Sequence, residues 1–322
     1  MSRRRELLER RKRRVEDLLE GELDAGVREA LRRVHQDERG ARKPATVTLR
    51  NAFVHAPSAG GQPPSSRLLL PRGIALRFYL LTVFEAQCRK GPGASAAVSR
   101  PLTHGQGAVS WVDMIAVDAE GRRRTKEYRT ALDNRIRQMK GALTTLEQNG
   151  LVDVHRVAST RQYAGFDVMR ESGRGDLPTP NTYTVPKANE GALHIPSEFW
   201  LSGWIHVLQP SEIATWLMFR HLAYMYFSHH ARDGVYIYGD DRETKYGIKR
   251  DAYEAHAILT DLGLLERLDG ITVNDKTITI RVRDKYEPHH FRVTDAGLDA
   301  PAVPRILAIL DERLAREGRR SA

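Results

Sequence analysis

A five-residue motif occurs twice in this chain of 322 residues, and each copy is followed by the same downstream signature. Pro71-Arg-Gly-Ile74-Ala75 recurs as Pro210-Ser-Glu-Ile213-Ala214. An alanine, a leucine and a Gly-Leu pair then stand in the same order after both copies: Ala142, Leu146 and Gly150-Leu151, then Ala255, Leu259 and Gly263-Leu264. The chain therefore contains an internal duplication, and its fold must be one that a small unit can form twice.

The pattern around each copy is typical of a winged helix, in which a core helix is followed by a DNA-reading helix and a β-hairpin. The later helix ends at the Gly-Leu pair because glycine readily adopts the left-handed conformation of a C-cap. We predict an α+β, mainly helical fold with two tandem winged-helix domains, an N-terminal basic helix and a C-terminal helix. The predicted boundaries are 1–39 for the basic helix or arm, 40–66 for a linker, 67–190 and 191–298 for the winged helices, and 299–322 for the last helix. Within the linker, Thr46–Leu49 is a candidate for one short strand.

The helix before Gly150 has the clearest periodicity in the first unit. We expect Leu151–Val154 to leave it as a strand and Thr182–Val185 to return as the partner of that strand. The polar segment 159–181 between them is then a long wing. Apolar residues follow one another along the helix at steps of four and three, the period of one helix face: Leu132, Ile136, Met139, Leu143 and Leu146.

The second unit has the same order of elements. We predict a helix that begins at Ser211 and ends near Tyr226, followed by a strand at Gly234–Tyr238. The counterpart of the reading helix is expected at Lys249–Leu262, and a hairpin is expected from Leu264–Leu268 and Thr277–Arg283, with Phe291–Val293 as an addition to it. An amphipathic helix, Ala302–Arg316, is predicted to close the chain.

Residues that can read DNA lie on the side of the first reading helix away from its apolar stripe. Arginine bonds guanine with two hydrogen bonds, and asparagine or glutamine does the same to adenine. The candidate residues of this helix are Thr130, Asn134, Arg137 and Gln138, with Lys140 beside the stripe. A cationic stretch before the helix is predicted to contact phosphates: Arg122, Arg123, Arg124, Lys126 and Arg129. The alternative is a polar helix face that water solvates.

The matching face of the second unit is less basic. Arg250 corresponds to Arg137, but Asp251 and Glu254 replace Gln138 and Gly141. Two carboxylates beside phosphates repel them, so this unit is predicted either to contact the DNA backbone or to form a homodimer. Its candidate contacts precede the helix and line the wing: Arg242, Lys245, Lys249, Arg281 and Arg283.

The overall charge favours a polyanionic partner. The formal net charge is +10, and lysine and arginine that neutralise phosphates release condensed counterions. A soluble protein that happens to be basic is the alternative. The chain has no apolar run of about 18 residues that would span a bilayer and no apolar signal core, so we expect no membrane partner and a cytoplasmic, nucleoid-associated protein. Cys88, the single cysteine, lies in an apolar helical run and is expected to be a buried, inert thiol.

Catalytic and metal-binding patterns are incomplete in this sequence. Gly91-Pro-Gly93 lacks the Gly-Lys-Ser/Thr continuation of a phosphate-binding loop. His229-His230 and His289-His290 are adjacent pairs, a spacing that does not place two imidazoles on one metal ion. Asp240-Asp241 is read as the N-terminal cap of a short helix. We therefore predict a protein that is not an enzyme and has no cofactor.

Residues 1–39 are predicted to form a charged helix with basic residues crowded from Arg3 to Arg14. Positive charge at a helix N-terminus opposes the macrodipole, so its first turns are expected to fray. Val27, Leu31 and Val34 form a narrow apolar stripe further along. This segment is interpreted as an arm that tracks phosphates, as a dimerising helix, or as a solvated extension.

The start of the second unit resembles the opening segment of winged-helix domains in plasmid replication initiators and related plasmid or phage regulators. The residues that carry this resemblance are Ile195-Pro196, Phe199-Trp200, Gly203-Trp204, Leu208 and Ser211, followed by an apolar helix.

The duplication likewise resembles the two winged-helix units of theta-type plasmid initiators, and the resemblance covers about residues 68–294. It implies binding to repeated origin sequences, a monomer–dimer switch, autoregulation of the promoter, and contacts with replication or transcription machinery.

The functional prediction is a sequence-specific protein that binds double-stranded DNA and serves replication initiation or transcription on a mobile element. The alternatives are a chromosomal transcriptional repressor and a winged-helix adaptor that binds other proteins without catalysis.

Overall fold

The computed structural model of the chain is α+β and mainly helical, as predicted. The strands that it describes pair as small two-stranded antiparallel sheets. The described residues are 3–20, 26–38, 40–56, 61–69, 73–96, 100–103, 108–117, 131–156, 163–173, 181–268, 270–273, 276–279 and 289–321.

The regular elements are numbered in chain order. The helices are α1 (Arg3–Glu20), α2 (Arg28–Arg32), α3 (Pro64–Arg67), α4 (Ala75–Arg89), α5 (Ala131–Gln148), α6 (Glu198–Leu201), α7 (Trp204–Val207), α8 (Pro210–Met225), α9 (Phe227–Asp233), α10 (Gly239–Tyr246), α11 (Arg250–Tyr253), α12 (His256–Asp261) and α13 (Ala302–Ser321). The strands are β1 (Thr46–Arg50), β2 (Val152–Arg156), β3 (Tyr163–Val168), β4 (Ala192–Pro196), β5 (Leu265–Leu268), β6 (Gly270–Val273), β7 (Lys276–Thr279) and β8 (His290–Val293). Short 3-10 helices lie at Asn51–Phe53, Trp111–Met114 and Ala296–Asp299, and a π-helical turn at Arg33–Asp37.

The two motif copies lie at the starts of two long helices with many buried residues, α4 and α8. In α4 every residue from Ala75 to Cys88 is buried, so other elements surround this helix on all sides. Burial raises the pKa of the Cys88 thiol, as expected of an inert cysteine. α5 packs against α4 through the C-terminal part of its apolar stripe, where Met139 and Leu143 are buried, whereas Leu132 at its start is exposed.

The hairpin of the first unit has a different second strand from the one predicted. β2 pairs with β3 in the register Val152↔Val168, and not with Thr182–Val185. Phe166 and Val168 are buried, so β3 supplies the apolar face that this hairpin packs on the core. The segment 182–185 forms only isolated β-bridges outside this hairpin. Thr182 pairs with Met169, which follows β3, and Thr184 pairs with Ser95. The prediction was wrong because β3 is nearer in the chain and closes a shorter loop.

The sheet of the second unit also differs from the prediction. β5 pairs with β8 in the register Leu265↔Val293, and not with Thr277–Arg283. β6 and β7 pair with each other as a separate hairpin. Phe291 explains the choice, because it is fully buried against Phe219 at 4.9 Å between ring centroids, and its backbone also pairs with Val235. The predicted strand 234–238 is reduced to that one bridge, and the predicted helix 249–262 is divided into α11 and α12.

The segment predicted to be a linker, 40–66, is part of the fold. Its strand β1 pairs with β4 along its whole length, from Thr46↔Pro196 to Arg50↔Ala192. Val47, Leu49 and Phe53 are fully buried. The segment 40–66 is therefore not a linker. The predicted boundary between residues 190 and 191 assigns β4 to the second unit, although β4 pairs with β1 and so contacts the first unit.

Aromatic side chains from the start of the second unit join the two units in one continuous core. Trp200 stacks on Phe84 of α4 at 5.2 Å, and Phe199 stacks on Trp216 of α8 at 5.0 Å. Trp204 donates a hydrogen bond from Nε1 to the carbonyl oxygen of Leu298 at 3.1 Å. The run of aromatic residues therefore serves as the joint between the units.

The N-terminal helix lies against the C-terminal helix of the same chain. Lys12 of α1 pairs with Asp311 of α13 at 2.6 Å, and Arg4 pairs with Glu317 at 3.3 Å. α1 begins at Arg3. The carboxylates of α13 offset the positive charge that opposes the macrodipole.

Candidate nucleic-acid interface

One surface of α5 is exposed along most of its length. Arg137, Lys140, Gly141 and Thr144 are all exposed, and a side chain at Gly141 would meet no other atom within 4 Å. Arg137 donates a hydrogen bond from Nη2 to Oδ1 of Asn134 at 2.8 Å, one helical turn before it. We call this surface the α5 strip. The α5 strip presents cations, a hydroxyl group and an amide. The opposite side of the same helix packs on the core and holds the strip in place.

A cleft of about 700 Å³ adjoins the α5 strip. Gln138, which is half-buried, faces this cleft together with Arg137. The cleft lies between α5, the N-terminus of α4, one side chain of α1 and the first residue of α8. Its described lining residues are Arg14, Leu69, Gly73, Ile74, Ala75, Arg77, Val117, Arg137, Gln138, Gly141, Ala142, Thr145 and Pro210.

The cleft is cationic. Arg14, Arg77 and Arg137 line it, and the described part of its wall contains no aspartate or glutamate. Arg77, the single charge that the sequence places in the apolar run of α4, is 4% exposed and donates from Nη2 to the carbonyl oxygen of Leu208 at 2.8 Å. Burial, followed by the charges of Arg77 and Arg135, lowers the pKa of the adjacent His206 to about 3.

The N-termini of α4 and α8 differ in their caps and in where each helix begins within the duplicated motif. In the second copy, Glu212 accepts a hydrogen bond from the backbone N–H of Gln209 at 2.9 Å and caps α8. Arg11 of α1 binds the same carboxylate with two hydrogen bonds of 2.5 and 2.7 Å. In the first copy the aligned residue, Gly73, lies before α4, which begins at Ala75, and the first turn of α4 has no acidic residue and no side-chain cap. The positive end of the α4 dipole therefore adds to the charge of the cleft.

The predicted contacts of the second unit are placed unequally. Arg242 is buried, and its Nε donates to the carbonyl oxygen of Ile248 at 2.9 Å while its guanidinium lies 4.7 Å from the ring centroid of Tyr253. It holds the turn after α10, so its prediction as a DNA contact is corrected. Lys249 and Arg250 are exposed at the start of α11, and Lys245 pairs with Asp241 at 2.8 Å.

Several predicted contacts cannot be compared with the structure. They lie outside the described residues: Arg122, Arg123, Arg124, Lys126, Arg129 and Thr130 before α5, and Arg281 and Arg283 in the second unit.

Sequence reasoning placed Arg14 in the N-terminal arm and not beside α5, and it did not assign a role to Gly73 or Arg77. The absence of an acidic residue in the first motif copy, where the second has Glu212, was the signal that pointed to a difference in charge.

The histidine pairs have structural partners. Nε2 of His230 accepts from the backbone N–H of Val293 at 2.9 Å, and Nδ1 of His290 lies 3.0 Å from the carbonyl oxygen of Asp233. Within the described ranges, no three histidine, cysteine or acidic side chains are grouped as they would be to hold a metal ion. Nor does any helix in those ranges combine the length and the apolar character that crossing a bilayer requires.

Comparison of the chain with known protein families, with characterised proteins and with solved structures gave no match.

Proposed function

We propose that this chain is a sequence-specific double-stranded DNA-binding protein built from two winged-helix units. The observation that carries the proposal is the α5 strip beside a cleft lined by three arginines. A helix that presents arginine and amide side chains on its outer surface can enter a major groove, and the adjoining positive potential attracts the phosphate backbone.

The order of elements in both units supports the winged-helix assignment. In the first unit, α4 is followed by the 3-10 helix Trp111–Met114, by α5, and by the β2–β3 hairpin. In the second unit, α8 is followed by the bridge at Val235, by α10, and by α11 and α12. β5 and β8 then flank the β6–β7 hairpin, and β8 lies between β5 and the bridge at Val235. That arrangement corresponds to the three-stranded sheet of a winged helix.

The two units have different roles in this proposal. Arg137, oriented by its hydrogen bond to Asn134, reads bases in the major groove, while Lys140 and Thr144 contact phosphates. In the second unit Lys249 and Arg250 stand beside Asp251 and Glu254, a mixed charge that suits backbone contacts at the edge of a site. The protein would then act at the nucleoid. It would serve replication initiation or transcription control on a mobile element, or it would be a chromosomal transcriptional repressor.

Salt dependence and one matched pair of variants test this proposal. A binding site is first selected from a random duplex library, and its Kd is then measured by fluorescence anisotropy at several salt concentrations. The slope of log Kd against log salt should correspond to several phosphate contacts, at roughly 0.9 each. A slope near zero on every duplex would refute DNA binding.

Arg137→Ala should weaken binding to the selected site by about 1–3 kcal/mol and leave random DNA almost unaffected. Arg316→Ala is the matched control, because Arg316 is an exposed arginine on α13 with a salt bridge to Glu312. Equal losses for Arg137→Ala on both DNAs would reassign Arg137 to a phosphate contact.

A second candidate function, an assembly scaffold, is favoured by an exposed aromatic patch on the second unit. Tyr226, Phe227, Tyr236 and Tyr238 are 54%, 74%, 42% and 55% exposed, and the rings of Tyr236 and Tyr238 meet edge to face at 5.5 Å. Contiguous exposed apolar surface rimmed by polar groups marks interaction sites, and aromatic residues are enriched there.

The partner that we propose for this aromatic patch is a second copy of the chain. Its rim carries both signs of charge, including Lys245 with Asp241 and Arg232 with Asp233. Such a rim can pair with itself across a two-fold axis. It would also attract a polyanion less than the cleft does. Measuring molar mass against protein concentration distinguishes this candidate from a monomeric DNA-binding protein.

A further inference from the structure

We propose that the cleft between α4, α5 and the start of α8 binds a phosphate-bearing small molecule of about nucleotide size, and that this ligand competes with DNA for Arg137. The first part stands on the cleft itself, whereas the competition rests on the proposed DNA-binding function.

The size and the walls of the cleft suit such a ligand. Its volume of about 700 Å³ lies within the range of roughly 300–1,000 Å³ that small-molecule sites occupy. Apolar side chains line part of the wall, where they can contact a base or another organic group: Leu69, Ile74, Val117, Ala142 and Pro210. Gln138 and Thr145 supply hydrogen-bonding groups that can fix the orientation of the ligand.

The charge of the cleft specifies an anion. Arg14, Arg77 and Arg137 come from three different helices and converge on one cavity, and no carboxylate stands among its described lining residues. Guanidinium groups match the geometry of phosphate oxygens with paired hydrogen bonds. The N-terminus of α4, whose first turn has no acidic residue, lies at the same cavity, so its first-turn N–H groups add a partial positive charge.

The positive potential extends below the cleft into the protein. His206 is 1% exposed, and its pKa is lowered by burial first and then by Arg77 and Arg135. An anion bound beside Arg77 would offset this potential. Ligand binding should therefore stabilise the folded protein as well as fill the cavity.

The depth of the site favours a small molecule over the DNA backbone. Arg77 is 4% exposed, so a ligand group must enter the cavity to reach it. A duplex is too wide to enter, and its phosphates would reach Arg137 at the rim. Arg14 and Arg77 are therefore assigned to the free ligand, and Arg137 is shared by both.

Thermal unfolding without DNA tests the site. Pyrophosphate, ATP and adenosine are titrated at constant ionic strength against the full chain. Pyrophosphate or ATP should raise the melting temperature by about 3 °C or more at saturation, and adenosine should have little effect. Arg14→Gln should raise the Kd for pyrophosphate and ATP, obtained from these titrations, about tenfold, which is the loss expected for one charge-assisted hydrogen bond. Arg13→Gln, at an exposed neighbouring arginine that does not line the cleft, is the matched control.

Three results would overturn the proposal. The first is the absence of a saturable shift with either phosphate compound, and the second is an equal effect of Arg14→Gln and Arg13→Gln. The third is a loss of DNA affinity in Arg14→Gln as large as its loss of ATP affinity, which would assign the cleft to the DNA backbone. Saturable ligand binding in a protein that binds no DNA would refute the proposed function and the competition but leave the site itself standing.

Discussion

The pair formed by Arg50 and Glu171 should be among the most destabilising positions to change. Nη1 of Arg50 lies 2.7 Å from Oε2 of Glu171, and the backbone N–H of Arg50 lies 3.3 Å from Oε1. The Glu171 side chain is fully buried, and that of Arg50 is 9% exposed. The pair joins β1 to the turn after β3, so it connects the segment mistaken for a linker to the body of the first unit.

The expected magnitude follows from what remains after Glu171→Gln. Glutamine keeps the size and one oxygen acceptor but removes the buried one of the two carboxylates that compensate a nearly buried guanidinium. Removing one partner of a buried ion pair costs about 3–5 kcal/mol, and the retained acceptor together with the remaining Glu190 carboxylate places this variant at the lower end, near 3 kcal/mol. Glu190→Gln is the matched control, because Glu190 binds Nε of the same Arg50 but is 29% exposed. It should cost about 1 kcal/mol, since Arg50 keeps Glu171.

Urea unfolding at neutral pH, followed by circular dichroism and by tryptophan fluorescence, measures both variants. The two probes should report a single transition with an unchanged dependence on urea, so that the change in midpoint gives the change in free energy of unfolding. Equal losses in Glu171→Gln and Glu190→Gln would contradict the reasoning, because burial would then not set the cost of losing the charge.

Two further predictions concern a buried histidine and the aromatic patch. His206 has a folded pKa of about 3 against 6.5 in the unfolded chain, so its contribution to stability is present above pH 6.5 and is lost as the pH falls towards 3. His206→Leu should reduce the slope of unfolding free energy against pH by up to about 1.4 kcal/mol per pH unit in that window, and an unchanged slope in urea titrations would count against this assignment. Phe227→Ser should lower the molar mass that light scattering measures at high protein concentration, and it should leave the melting temperature unchanged at concentrations where the wild type is monomeric, because Phe227 is 74% exposed. A wild-type protein that stays monomeric at all concentrations would rule out the dimer surface.

The sequence predicted the elements that depend on local pattern. The motif copies located the starts of α4 and α8, and the stripe ending in Met139, Leu143 and Leu146 located the packed part of α5. The apolar residues of these helices are dense or recur at helical spacing, and both patterns can be read from neighbouring residues. The helices could therefore be predicted without knowing which elements pack against them.

Strand pairing was not predictable in the same way. Thr182–Val185 has the residue types of a strand, but β3 lies nearer to β2 and supplies Phe166 to the core. The residues of β1 have the pattern of a short strand, but they were assigned to a linker because the partner strand β4 is distant in the chain and no local pattern indicates the pairing. Arg242 was wrongly predicted to be a DNA contact. Its burial depends on Tyr253 and Ile248, which contact it only in the folded chain, so the residues next to it in the sequence do not reveal it.

The cleft was also beyond a local reading, since its arginines come from α1, α4 and α5. Its cause was nevertheless visible in the sequence. The first motif copy has Gly73 where the second has Glu212, and the first turn of α4 has no acidic residue, whereas Glu212 caps α8. Comparing duplicated units position by position can therefore predict where they differ in charge.

The pairing of β1 with β4 also sets the order in which the chain can complete its fold during synthesis. β1 leaves the ribosome early, but β4 is made only after the rest of the first unit, roughly ten seconds or more later at usual rates of translation. Until then the backbone of β1 lacks this partner, and the first unit stays open at that edge. A nascent chain stalled before residue 192 should therefore remain sensitive to protease, and the first unit becomes resistant only when the opening strand of the second has emerged.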